Sequence, residues 1–266
     1  MTMKVYVICD LEGVAGVVDH RQQCWFDGEY YKQARHLAAL ELNALVEGAL
    51  AGGAAEIVAW DGHGNFPGGL DIELLHPECK MVMGAGDGGP AGLDASFNAV
   101  FLLGLHSMAG TSRAVLSHSF MPDIVGCWIN GLKVGEIGMN CATAGQFGVP
   151  TVFISGDRAA VDEARALVPD IEGVAVKEGI ALEVKGLAQA PMISVSPQKA
   201  RALIRETAER AMTKVGTIKP FCIQSPYQVR TQFTEAKFAD EQASRPNVKR
   251  IDPTTIEWQG SDLLGF

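Results

Sequence analysis

Short, continuous apolar runs that each end in an acidic residue or a histidine constrain this chain more than any other feature. Lys4-Val5-Tyr6-Val7-Ile8-Cys9 leads directly into Asp10-Leu11-Glu12-Gly13. Glu56-Ile57-Val58-Ala59-Trp60 leads into Asp61-Gly62-His63-Gly64, and Ala99-Val100-Phe101-Leu102-Leu103 into Gly104-Leu105-His106. A strand covered on both faces needs an uninterrupted run of this kind, so the pattern predicts a parallel sheet with polar residues at its strand ends. Arg113-Ala114-Val115-Leu116, followed by Ser117-His118-Ser119, reads as a further strand of the same type.

Helical signals alternate with these runs. Leu42, Leu45, Val46 and Ala49 recur at helical spacing and predict a core-facing helix over about residues 29–50, stopped by Gly52-Gly53. Asn130-Gly131 between two short apolar runs predicts a two-residue hairpin, with a helix following from Glu136 to Phe147. Residues 151–155 read as a buried strand, Asp157 as the cap of a helix over 158–167, and Ser196-Pro197 as the start of a helix reaching about Met212. A strand over 227–233, a helix over 235–243 and a strand over 255–258 complete the pattern. The expected fold is α/β: a mostly parallel, Rossmann-like sheet flanked by helices, with a smaller C-terminal α+β lobe. The division expected is a metal-binding catalytic domain over 1–190 and the lobe over 191–266.

Composition narrows the function. With 266 residues, 47% hydrophobic and 20% charged, the chain can bury a large core. A net charge of −9 without clustered Lys and Arg argues against nucleic acid as a partner, because phosphate neutralisation needs such clusters. The N-terminus lacks the basic, apolar and small-residue zones of a signal peptide, and no apolar run approaches the roughly 20 residues that span a bilayer, so no membrane partner is expected. Six cysteines, Cys9, Cys24, Cys79, Cys127, Cys141 and Cys222, show no CxxC spacing, which points to a reduced, cytoplasmic compartment. Gly84-Ala85-Gly86-Asp87-Gly88-Gly89 satisfies G-x-G-x-x-G, but Pro90 and the short segment before Asp94 leave no room for the helix a dinucleotide fold requires. It reads as a flexible glycine loop.

The chemistry lies at the strand ends. Asp10 and Glu12, two residues apart, point to one side of an extended chain and repel unless a cation separates them. No Lys or Arg stands in that motif, so a metal ion is the natural partner, and neutral imidazoles from His63 and His106 complete a mixed N/O set suited to zinc. Glu136 offers a third carboxylate, enough for two metals sharing Asp10, although an acid at a helix start is also explained by the helix dipole. Any one of these histidines alone reads more simply as a hydrogen-bonded fixture. Their joint recurrence at strand ends carries the metal reading. His118 could be a ligand, a general base or a stabiliser of a tetrahedral intermediate. Asp61 could orient a ligand or shape a turn. His36 and His76 read as structural or solvated, and His20 is undecided.

Taken in order, Asp10-Leu11-Glu12-Gly13, Asp61-Gly62-His63-Gly64, Gly104-Leu105-His106, Ser117-His118-Ser119, and Ile129-Asn130-Gly131 with Val134-Gly135-Glu136 resemble the M55 peptidases, a family of D-aminopeptidases. The resemblance implies a dinuclear zinc site, two Zn2+ per chain with Mn2+ or Co2+ as substitutes. Asp10 would bridge, with Glu12 and His106 on one metal and His63 and Glu136 on the other. It further implies His118 as the catalytic histidine, short D-amino-acid peptides cut from the amino end by a bridging water, and a ring-shaped homo-oligomer of ten subunits. Two departures are expected to alter contacts: the segment from Gly84 to Leu93 is shorter than the family's loop, and the chain stops at Phe266 where relatives tend to continue, as a truncated or differently packed lobe would. Two rival functions use the same ligands. A two-metal phosphoesterase would need a phosphate-binding Arg or Lys cluster, and a non-catalytic metal-binding protein would bind metal without hydrolysing any peptide.

Overall fold

The computed structural model describes residues 2–64, 68–83, 89–182 and 187–265. In chain order its strands are β1 (Lys4–Cys9), β2 (Glu56–Asp61), β3 (Cys79–Val82), β4 (Ala99–Leu105), β5 (Ile124–Ile129), β6 (Leu132–Val134), β7 (Thr151–Asp157), β8 (Glu172–Gly179), β9 (Met192–Ser194), β10 (Tyr227–Phe233), β11 (Val248–Asp252) and β12 (Thr255–Gly260). The helices are α1 (Tyr31–Ala51), α2 (Glu136–Gln146), α3 (Arg158–Leu167), α4 (Pro197–Met212) and α5 (Ala236–Gln242).

The larger sheet has the order β3-β2-β1-β4-β7-β8-β9. Every pair from β3 to β8 is parallel, and β9 closes one edge antiparallel to β8. The chain first builds outward from β1 to β2 and β3, then returns to β4 on the other side. That reversal opens a crevice beyond the carboxyl ends of β1 and β4, where open α/β sheets hold their ligands. Asp10 and His106 are the residues that immediately follow those two strands.

The predicted continuous apolar runs are buried along β1, β4 and β7, with Phe101 and Phe153 stacked at 5.2 Å between ring centroids. Each large side chain so buried contributes about 1.5–3 kcal/mol. Helix α1 buries Leu42, Leu45, Val46 and Ala49. It lies so close to α4 that a Cβ on Gly48 would sit 2.1 Å from the Arg205 carbonyl oxygen.

A second, antiparallel sheet has the order β11-β12-β10-β5-β6. Its β5–β6 hairpin turns on Asn130 and Gly131 at φ 49° and 85°, as a two-residue primed turn requires. Helix α2 follows directly and serves both cores: Ile137, Cys141 and Ala144 pack against the large sheet, Met139 and Ala142 against the second.

Some expectations need correction. The second sheet takes β5 and β6 from before residue 190 and β10 to β12 from after it, because β10 completes the hydrogen bonding of β5. Helix α4, beyond 190, packs instead on the first sheet's side against α1, with Ala208 beside Gly48. Both sheets thus draw strands from either side of residue 190, β9 being the first sheet's strand beyond it. Residues 113–116 are not a strand: Arg113, Leu116 and Phe120 adopt φ of 52°, 56° and 61°, which breaks any ladder. Strands β8, β9 and β11 are additions to the predicted set. The glycine run 84–88 lies outside the described residues. None of the six cysteines is in a disulfide, and among the described residues no helix is long and apolar enough to cross a membrane.

Candidate metal centre

Backbone geometry at the end of β4 sets the crevice. Gly104 adopts φ 70°, the register with β7 shifts between Leu102 and Leu105, and its carbonyl accepts the Gly13 N–H at 2.7 Å. The Asp10 N–H donates to the Leu103 carbonyl at 2.9 Å. A Cβ at Gly104 would lie 2.4 Å from the Asp10 carbonyl oxygen, so only glycine lets the two strand ends approach this closely.

Asp10 stands at the centre of the crevice. One of its carboxylate oxygens, Oδ1, lies 3.3 Å from His63 Nδ1, and the other, Oδ2, lies 3.3 Å from His106 Nε2. Glu12 Oε2 is 3.3 Å from the same His63 nitrogen, and Glu136 Oε1 is 3.3 Å from the same His106 nitrogen. Two triads thus share Asp10 through its two oxygens. The resemblance implied a partition by ion, Glu12 with His106 and His63 with Glu136, which is a statement about coordination and not about these contacts. The distances pair Glu12 with His63 and Glu136 with His106.

Each imidazole is fixed from behind by a backbone carbonyl. His63 Nε2 meets the Cys24 carbonyl at 2.6 Å, His106 Nδ1 the Ser107 carbonyl at 3.1 Å, and His118 Nδ1 the Leu116 carbonyl at 2.9 Å. A carbonyl only accepts, so those nitrogens carry the hydrogen, and the nitrogen facing the centre offers a lone pair whenever the ring is neutral. Glu136, in the first turn of α2, is oriented by the Phe120 N–H, which donates to Oε1 at 2.7 Å. His118 stacks on His106 at 3.9 Å and 12°, with Nε2 3.9 Å from Glu136 Oε1. The serines beside it do not hold it; Ser119 instead accepts the Ala109 N–H.

The donor set fits zinc. Asp10 Oδ2, Glu12 Oε2 and His106 Nε2 are buried and have no hydrogen-bond partner, a costly arrangement for a site that holds nothing. Tetrahedral zinc with bonds of about 2.0–2.1 Å separates its ligands by about 3.3–3.4 Å, the spacing of the four histidine–carboxylate contacts here. Ligand atoms of Asp10, Glu12 and His63 lie within 4.8 Å of one another, as do those of His106, His118 and Glu136.

Charge is tightly coupled here. Burial alone would raise Asp10, but the imidazoles of His106 and His63 against it hold its carboxyl well below the usual range. Glu12 is lowered too: burial and the Asp10 charge raise it, and His63 outweighs both. Burial disfavours the charged forms of His63 and His106, yet Glu12 beside the one and Glu136 beside the other, with Asp10 against both, hold them well above the usual value. A divalent cation bound by those rings would take the place of the protons.

Two residues at the centre carry no sequence signal strong enough to place them. His20 sits on a wide turn, His20–Cys24, capped by Asp19; its Nε2 lies 3.7 Å from Glu12 Oε1 and its ring stands edge-on to His118 at 5.9 Å. Lys177 of β8 is 3% exposed, and its ammonium donates to the backbone carbonyls of Glu12, Val14 and Val17. Burial pushes that ammonium down to about 8 against the attraction of Asp157, Cys24, Glu41 and Glu12. Asp61 accepts the N–H groups of Gly69 and Leu70 and so shapes the loop after His63, the turn role. Asp157 caps α3 through the Ala160 N–H and also accepts the Val115 N–H, pinning the irregular stretch that carries His118.

Carboxylates and imidazoles gathered in two triads at the switch point of a parallel sheet define a metal-dependent hydrolase of the α/β class. The chain belongs to the D-aminopeptidase family, peptidase family M55, whose sequence profile matches residues 3–265. It is similar to a D-aminopeptidase of Bacillus subtilis (strain 168), 29% identical over 269 residues, spanning 98% of this chain and 93% of that one. Among solved structures it is similar to the Zn-dependent D-aminopeptidase DppA from Bacillus subtilis, described as a self-compartmentalizing protease. The TM-score is 0.88 at 29% identity, over 98% of this chain and 93% of that one.

Proposed function

We propose that this protein is a zinc-dependent aminopeptidase that binds two zinc ions per chain and removes the N-terminal residue from short peptides of D-amino acids. The observation that carries this reading is the fork of Asp10, whose two oxygens each face one carbonyl-anchored imidazole at 3.3 Å. Asp10, Glu12 and His63 would hold one ion, and Asp10, His106 and Glu136 the other. Zinc in such a site supplies a Lewis acid and brings the pKa of water toward neutrality.

The chain's own residues then govern proton movement. His118 keeps its Nδ1 hydrogen on the Leu116 carbonyl, which leaves Nε2 to exchange a proton with the reacting groups. Water adds to the scissile carbonyl carbon as His118 Nε2 takes up one of its protons, the C–N bond breaks, and Nε2 passes that proton to the departing nitrogen. Stacking on His106 holds the ring in place for that transfer.

Phosphoester hydrolysis is less well supported. Lys177, the buried cation beside the centre, spends its three hydrogens on backbone carbonyls and has none for a phosphate. Assembly into a ring of copies is supported by exposed Ile180, Leu182 and Ile193 around the β8–β9 edge and by the self-compartmentalizing relative. A reducing, cytoplasmic location is supported by six cysteines of which none is in a disulfide.

The test is hydrolysis of matched D,D and L,L dipeptides by zinc-loaded and chelated protein, with release of the N-terminal residue as the readout. Chelator-sensitive cleavage of the D,D series is the expected result. Preference for L,L would overturn the stereochemical assignment, and cleavage of neither series, with two zinc ions bound, would overturn the peptidase reading.

A further inference from the structure

Residues 10–17 leave β1 as an irregular loop whose backbone is tied down from three directions. The Gly13 N–H reaches the Gly104 carbonyl, and the Ala15 N–H reaches Glu41 Oε1 at 3.0 Å from buried α1. The third tie is Lys177. Its ammonium takes the carbonyls of Glu12, of Val14 at 3.0 Å and of Val17 at 2.6 Å, so all three of its hydrogens are used on one short stretch of main chain. Lys177 reaches that stretch because the β7–β8 register slips: Gly156 faces Ala175 but Asp157 faces Lys177, with Val176 as the extra residue. Such a bulge re-aims the side chain that follows it.

A buried lysine with no carboxylate in hydrogen-bond contact is costly, and a methionine of similar shape would fill the same space. Two effects on the metal centre oppose each other. As a charge, Lys177 repels cations and weakens their binding. As a tether, it fixes the peptide that carries Glu12, one anionic ligand of the Asp10–Glu12–His63 triad. The other triad owes nothing to this tether: His106 follows β4, Glu136 heads α2, and Asp10 is held by the Leu103 carbonyl.

We propose that Lys177 is a positioning residue for Glu12, acting on one metal position of the pair and not on the other. The inference rests on the two-metal reading above. Lys177→Met should weaken zinc binding about 10–100-fold at one position, the range for lost outer contacts to a ligand, and leave the second position at wild-type affinity. In a Glu12→Gln background the further effect of Lys177→Met should vanish, because the ligand it positions is already gone. In a Glu136→Gln background it should persist in full.

The experiment is zinc titration against a competing chelator for wild type, the single variants and both doubles. Folding is monitored by circular dichroism, and Lys177→Gln, which retains an N–H donor, serves as the milder variant with an expected intermediate affinity. Equal weakening at both positions, tighter binding, unchanged binding, or failure of both Lys177 variants to fold would overturn the positioning role. Fewer than two zinc ions on the wild-type chain would instead sink the two-metal reading, and this inference with it.

Discussion

Replacing Glu12 by glutamine should empty one metal position and leave its neighbour loaded, and the size of the effect comes from the ligand count. Four-ligand zinc sites in small domains bind with about 10–16 kcal/mol, so one ligand accounts for about 2.5–4 kcal/mol, or about 100- to 1000-fold in affinity. Glutamine keeps the shape of the buried Glu12 side chain, 2% exposed, so no cavity confuses the comparison. Asp10→Asn should weaken both positions, because each triad uses one of its oxygens. The stronger test concerns pairing. Since Glu12 and His63 share one triad, Glu12→Gln with His63→Ala should still retain about one zinc per chain, whereas Glu12→Gln with His106→Ala should retain close to none. The assay is metal content by mass spectrometry after dialysis, with affinity from chelator competition. Retention in the second double variant and loss in the first would refute the geometric pairing and restore the arrangement in which Glu12 partners His106.

His118→Ala should keep both zinc ions and lose about 100- to 10,000-fold in kcat on the D,D dipeptide; zinc loss in parallel with turnover would make His118 a ligand instead. Gly104→Ala places a Cβ 2.4 Å from the Asp10 carbonyl at φ 70° and should cost about 3 kcal/mol in urea denaturation; a change under about 1 kcal/mol would contradict the close approach. The metal-free protein should have a stability window set by the shifts at the centre. His63 and His106 are raised, so their contribution is full below about pH 6.5 and fades as pH climbs through their folded values. Asp10 and Glu12 are lowered, so theirs is present above about pH 4.5 and fades as pH falls through their folded values. Chelated protein should therefore melt highest between about pH 4.5 and 6.5, and zinc-loaded protein at higher pH; a chelated optimum near pH 8 would contradict this.

Asp10, Glu12, His63 and His106 are legible in the sequence because buried parallel strands leave a period-free apolar run, and the residues just past such runs must line the crevice. His118 is legible only through a false strand. The apolar stretch 113–116 is buried at Ala114, Val115 and Leu116, but its positive-φ residues fold it back on the crevice rather than along the sheet. Strand β8 is hidden because Glu172, Lys177, Glu178 and two glycines break its apolar run; its burial comes from pairing with β7 and not from its own composition. Lys177 and His20 are hidden for related reasons, since a lysine reads as solvated and a wide turn has no periodicity. The pairing of ligands has no sequence signal at all, because it depends on which way the two oxygens of Asp10 fork.

That fork would tie the two proposed metal positions to different parts of the molecule. The Asp10–Glu12–His63 triad is assembled from loops of the large sheet alone, anchored through the Cys24 carbonyl and Lys177. The Asp10–His106–Glu136 triad joins the large sheet to α2, whose opposite faces belong to the two hydrophobic cores. Any shift of the second sheet that moves Met139 and Ala142 must carry the start of α2, and Glu136 with it, away from His106. A cation held by that triad would therefore bond one core to the other, while a cation held by the first would stiffen loops on one of them only. Binding free energy adds to the stability of whatever arrangement the ligand requires. Zinc at the Glu136 position should accordingly hold the second sheet against the first, and packing changes as remote as β10 or β12 reach the chemistry by loosening that position before the other.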